Sequence, residues 1–172
     1  MGWKKLVILS VLISLFQNCF FKGYRTNEFG VNRPIKNKFT LGQEPYKLAS
    51  NEIINVNAVY VKTDSIYNTS ATTKKKELAL YNVFLRFFSN GKFIKSSFNG
   101  DVKKSFQEFN NLKKALFVGY YRIEDKKLKI EYFTVSAHGR KSYIKNEFKL
   151  INDSIEGFKK LKVEGLTGTP DW

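Results

Sequence analysis

The stretch LALYNVFLRFFSNGKFIKSSF, residues 78–98, constrains this chain more than any other. Two β-prone runs flank Ser89-Asn90-Gly91. Asn-Gly is a preferred pair for a tight hairpin because both residues tolerate positive φ. Phe84 and Phe88 alternate with Val83, Leu85 and Phe87, so the first run is apolar on both sides and reads as a strand buried on both faces. An isolated hairpin is marginally stable at best in water, so further strands have to extend it.

The chain supplies them. In NEIINVNAVYVK (51–62), Ile54, Val56, Ala58 and Tyr60 alternate with Ile53, Asn55, Asn57, Val59 and Val61, a period of two. TDSIYNTSATTKKKE (63–77) is polar and reads as a long exposed loop. LFVGYYRIEDKKLKIEYFTV (116–135) turns at Glu124-Asp125-Lys126, and KSYIKNEFKLINDSIEGFKKL (141–161) turns at Asn152-Asp153. One segment breaks the strand period. In DVKKSFQEFNNLKKALFVG (101–119), Phe106, Phe109, Leu112 and Leu116 recur at three- and four-residue spacings, which predicts a helix of about three turns. The tail LTGTPDW has no period, and Trp172 is expected to pack back on the body. The architecture expected is mainly β: an antiparallel sheet curled into a barrel or half-barrel, with one short helix.

The single cysteine, Cys19, permits no disulfide within the chain, so packing alone must hold the fold. It follows an apolar run, in MGWKKLVILSVLISLFQNCFF. Lys4 and Lys5 form a positive n-region, and Leu6 to Phe16 are apolar apart from Ser10 and Ser14. The run has the length of a signal-peptide h-region and falls short of the roughly 20 residues that span a bilayer. The residues after it, Gln17, Asn18 and Cys19, lack the small-residue pattern of a general secretory cleavage site. They resemble the end of a bacterial lipoprotein signal, in the relaxed lipobox form common in Bacteroidota. That resemblance implies cleavage between Asn18 and Cys19, a lipid on Cys19 and a cell-envelope location. Two other readings stay open: an uncleaved anchor helix over residues 6–21, and an incidental buried thiol. The resulting division is a signal peptide over 1–18, a tether over 19–43 (polar, aperiodic, with a docked segment around Phe39) and a single domain over 44–172. FFKGYR after the cysteine is basic, which favours the inner leaflet of the outer membrane, facing the periplasm.

The net charge is +15, and lysine supplies most of it, in runs such as Lys74-Lys75-Lys76, Lys113-Lys114 and Lys159-Lys160. These runs are dispersed over turns, arginine is sparse and no nucleic-acid motif is present, so nucleic acid is not the expected partner. A solvated lysine surface is the leading account, with attraction to anionic envelope surfaces as the second. His138 stands alone in SAHGRK, no catalytic or phosphate-cradling motif occurs, and no cofactor or metal is implied. Glu131 and Glu147 fall on neighbouring expected strands, where alternation with Lys129, Lys145 and Lys149 favours cross-strand ion pairing over acid–base work on a glycan. An enzyme is not expected.

VGYYRIEDKKLKIEYF (118–133) followed by YIKNEFKLINDSIEGF (143–158) resembles the repeating hairpins of small lipocalin-like lipoproteins, over residues 52–165. That resemblance implies a barrel and a role in binding a small apolar ligand or another envelope component. The alternative is an accessory subunit docking on a protein partner or an anionic envelope surface. Aromatics make up 16% of the chain. They fill the core of a disulfide-free domain, or line an apolar pocket through Tyr60, Phe84, Phe88, Tyr121 and Tyr132.

Overall fold

Hairpin turns decide the topology. A computed structural model describes residues 2–3, 23–49, 53–69, 76–98, 100, 105–170 and 172. The apolar run expected to be a signal peptide, Asn18 and Cys19 lie outside the described residues. Ten strands are described: β1 (Tyr24–Thr26), β2 (Asn32–Pro34), β3 (Ala58–Thr69), β4 (Lys76–Phe87), β5 (Lys92–Phe98), β6 (Phe117–Glu124), β7 (Lys127–Val135), β8 (Lys141–Ile151), β9 (Ser154–Ile155) and β10 (Lys159–Lys162). A short helix, α1 (Phe106–Asn110), and a single tighter turn, Leu112–Lys114, link β5 to β6. Strands β1 and β2 pair only with each other; the rest form one antiparallel sheet in the order β10-β3-β4-β5-β6-β7-β8-β9. It is an up-and-down meander whose last strand returns to its first, through Lys159 opposite Val61 and Lys162 opposite Ala58. β9 and β10 approach each other, so the barrel is nearly closed.

The turns follow backbone chemistry. Asp125 and Lys126 both have positive φ, as a two-residue type I′ loop between right-twisted strands requires. At Ser89-Asn90-Gly91 only Gly91 is left-handed, at φ 76°. Phe88 N–H donates to the Lys92 carbonyl at 2.9 Å and Gly91 N–H to the Phe88 carbonyl at 3.2 Å. This is the three-residue loop with glycine in the left-handed position, rather than a turn in which both residues of the pair are left-handed.

The register divides the sheet into two faces. One carries Tyr60, Leu85, Phe87, Phe93, Tyr121, Leu128 and Ile130. These residues come from β3 through β7 and reach Ile155 on β9 in one cluster, which only the inside of a curled sheet allows. The other face carries Val59, Phe84, Phe88, Ile94 and Val118, covered by Phe109 and Ala115 and flanked by Val163, Leu166 and Trp172. β4 is buried on both sides over Phe84–Phe88, as its composition demanded. Trp172 packs edge-on against Phe88 at 6.4 Å, and its carbonyl oxygen accepts from Lys92 Nζ.

Three expectations are corrected. Residues 63–69 and 76–77 are strand rather than loop, paired as far as Thr69 opposite Lys76, because the run is rich in β-formers, with Tyr67 opposite Leu78 and Ile66 opposite Ala79. The stretch expected as a tether docks from Gly23 onward. Arg33, on β2, donates to the carbonyls of Leu112, Lys113 and Ala115 at 3.3, 3.2 and 2.8 Å; Phe39, in the segment expected to dock, is buried between Tyr120 and Tyr143. The helix stops after five residues, and Asn111 Oδ1 then accepts from Lys114 N–H at 3.2 Å. Such local side-chain bonds compete with helix continuation.

Gly119, on β6, sits where a Cβ would overlap the Glu131 carbonyl oxygen and lie 2.7 Å from Phe93 Cε1. Glu131 belongs to the neighbouring strand, so the clash is with backbone that cannot turn aside. Gly119→Ala is expected to lower stability by about 1–3 kcal/mol, the cost of overpacking a filled core, measured by urea unfolding. An unchanged midpoint would show that β6 and β7 can separate there freely.

Candidate ligand pocket at the barrel mouth

At the end of the barrel where β3 begins and β4 finishes, the interior is full. Phe87 stands 5.5 Å from Tyr60, 4.9 Å from Tyr121 and 5.9 Å from Phe93, ring centre to ring centre. Both tyrosine hydroxyls are partnered. Tyr60 accepts from Asn55 N–H at 2.9 Å, and Tyr121 donates to the Phe88 carbonyl at 2.8 Å. Burial pushes the Tyr60 phenol up from its ordinary value. No room for a ligand remains among these rings.

Following the inner face towards the other end, side chains become shorter or polar. β3 continues from Tyr60 to Lys62 and Asp64, β4 from Leu85 to Val83 and Tyr81, and β5 from Phe93 to Lys95 and Ser97. A pocket of about 480 Å³ opens there, within the range of small-molecule sites. Val83, Leu116, Phe117, Phe148 and Phe158 supply its apolar wall; Lys62, Asp64, Lys95, Ser97 and Asn146 supply polar groups.

Lys95 is the distinctive group. Its ammonium lies 5.6 Å from the Phe117 ring and 5.1 Å from the Tyr132 ring, which are themselves 5.2 Å apart. Two aromatic faces stabilise a cation that has lost part of its water. Burial pulls the Lys95 pKa below the ordinary lysine value, opposed by Asp64 and reinforced by Lys62. Among the described residues no carboxylate comes within ion-pair distance of it. A half-buried cation in the wall of a partly apolar cleft is suited to the head of an anionic amphiphile.

The five aromatics expected to line a pocket do not share one. Tyr60 and Tyr121 are inside but packed solid; Tyr132 is inside and flanks Lys95; Phe84 and Phe88 lie on the opposite face, beneath α1 and the C-terminal segment. Sequence reading passed over Lys95, although its parity with Phe93 and Ser97 put it on an inward face. The carboxylate pair does not converge on a substrate. Glu131 is buried and accepts from Leu41 N–H at 2.8 Å and Thr40 Oγ1 at 3.1 Å, whereas Glu147 pairs with Lys127 at 2.7 Å on the surface. For Glu131 this corrects the expectation of a solvated ion pair: the segment around Phe39 covers it. His138 is exposed in the turn between β7 and β8. No family model matches the chain, and no curated protein or solved structure matches it.

Because burial disfavours the charged ammonium, Lys95→Met is expected to raise the thermal midpoint at neutral pH. The sign follows from the depressed folded-state pKa. The charged form carries the full penalty below it, and the penalty is relieved as pH climbs from it towards the unfolded-state value. The advantage of methionine therefore shrinks in the alkaline range, which melting curves taken across pH will show. A lower midpoint for the variant would mean that the ring contacts outweigh desolvation.

Proposed function

We propose that this chain is a non-enzymatic, lipid-anchored protein of the bacterial cell envelope whose barrel mouth binds a small apolar ligand with an anionic head. The anchor is a lipid on Cys19 after cleavage behind Asn18, holding the protein at the inner leaflet of the outer membrane on the periplasmic side. Support for the anchor is the order of the sequence: two lysines, an apolar run too short to span a bilayer, then the chain's single cysteine. The observation that carries the binding role is the cleft of about 480 Å³ with half-buried Lys95 in its lining. The closed end excludes ligand by packing, so the mouth receives the apolar tail and Lys95, with Lys62 beside it, receives the head.

Binding of a dansylated undecanoate tests this role. The protein is expected to bind it saturably, with displacement by dodecanoate and much weaker displacement by dodecanol. Loss of a charge-assisted hydrogen bond, worth about 1.5–3 kcal/mol, predicts roughly ten- to hundredfold weaker binding in Lys95→Met. Equal displacement by acid and alcohol, or no saturable binding at all, would overturn the role. Anchoring has its own test. Cys19→Ala is expected to leave the membrane fraction and to lose the mass of the attached lipid; unchanged fractionation and mass would defeat the anchor while leaving the pocket standing.

A further inference from the structure

The β3–β4 hairpin outruns the sheet that holds its base. β10 pairs with β3 only over Ala58 to Val61, and β5 pairs with β4 only over Asn82 to Phe87. Beyond those points, Asp64–Thr69 and Lys76–Tyr81 pair, among the described residues, only with each other, as an arm with two open edges. Exposed apolar side chains occur on both faces of the arm, mostly on one. Tyr67, Leu78 and Leu80 share one face and are 69%, 54% and 68% exposed, while Ile66 on the reverse face is 52% exposed. Soluble surfaces leave single large apolar residues uncovered as a matter of course, but four on one projecting hairpin form a patch that calls for a partner.

We propose that this arm seats in the interfacial zone of an anionic phospholipid bilayer. A protein partner or a second copy of the chain covers one face of a hairpin, whereas the acyl and headgroup region of a bilayer surrounds both, and here each face exposes an apolar side chain, Ile66 on one and Tyr67, Leu78 and Leu80 on the other. Charge agrees with that occupant. Lys62 is exposed at the base of the arm and Lys76 on it, Lys76 closes the Lys74-Lys75-Lys76 run of the sequence, and the chain as a whole carries +15, against Asp64 and Glu77 on the arm. Basic residues near an anionic surface add favourable energy to shallow apolar burial. The open edges fix the depth. Unpaired backbone N–H and C=O groups cannot enter the hydrocarbon core, so the described arm rests at headgroup level, where water still reaches them and where a tyrosine such as Tyr67 is favoured.

Site-specific fluorescence on the full chain decides the matter. In a Cys19→Ala background, which removes the lipid attachment point, a nitrobenzoxadiazole probe is placed through Leu80→Cys, Ile66→Cys or, at the opposite end of the barrel, Ile151→Cys. All three positions are exposed, and circular dichroism checks that each variant folds. Vesicles of phosphatidylethanolamine and phosphatidylglycerol are expected to shift emission to the blue at both arm positions, with stronger quenching by a nitroxide near the headgroup than by one at the acyl terminus. Position 151 is expected not to respond, and phosphatidylcholine vesicles or high salt are expected to weaken the arm signal several-fold. Three results overturn the proposal: no shift at either arm position, a shift at Leu80 without one at Ile66, or a shift without lipid that grows with protein concentration and marks self-association. Because the background lacks Cys19 and the probe reads only the arm, failure here leaves the anchor and the pocket untouched.

Discussion

Phe87 is the contact on which the interior rests. Its ring meets Tyr60 from β3, Phe93 from β5 and Tyr121 from β6, so one side chain ties four strands together inside the curl. An interior packed this way has no slack at that end, since close-packed aromatics admit neither water nor ligand. The consequence is displaced along the barrel. Curvature set by the closed end continues to the mouth, but the sequence there offers Val83, Lys95 and Ser97 in place of rings. The pocket is what a barrel shaped by Phe87 leaves where its filling runs out.

The fold was legible in the sequence wherever apolar alternation and turn residues agreed. VGYYRIEDKKLKIEYF announced β6 and β7 because Ile123, Leu128 and Ile130 alternate correctly around a turn at Asp125-Lys126. The double-sided burial of β4 could be read from Phe84 and Phe88 flanking Leu85 and Phe87. Legibility failed where polar residues did the structural work. Arg33 holds the N-terminal hairpin through three carbonyls, and Glu131 holds the segment around Phe39 through Leu41 and Thr40. Neither partnership leaves a periodic trace, because the bonds join residues roughly eighty to ninety positions apart and pattern arguments are local. The site was half legible. Tyr132 was named, but Lys95 was absorbed into the lysine background, and Phe84 and Phe88 were assigned to the wrong side of the sheet because parity alone does not say which face curls inward.

Electrostatics divides the lysines into two populations. Lys127, Lys129, Lys113 and Lys160 sit in exposed or half-exposed ion pairs with Glu147, Glu124, Glu28 and Asp153. Pairs of this kind contribute little to stability. Lys95 forms none of these ion pairs, and burial between the Phe117 and Tyr132 rings holds its pKa below the ordinary lysine value. Arg86 provides the contrast. It is equally cationic and more deeply buried, with a pKa brought down to about 10, yet its guanidinium is occupied by the Phe109 carbonyl and Asn110 at the end of α1 and lies over the Phe88 ring.

The return of β10 to β3 carries a kinetic consequence. The two strands are roughly a hundred positions apart, so closing the sheet means closing nearly the longest loop the domain contains, and non-local pairing of this kind is slow. Until β10 arrives, Ala58, Val59, Tyr60 and Val61 present an apolar strand edge with free backbone groups. A chain emerging N-terminus first exposes that edge until Lys159–Lys162 appear, roughly a hundred residues later. For this barrel the dangerous interval is the wait for its final strand, and whatever shields Ala58 to Val61 during that wait governs how much of the protein reaches its folded state.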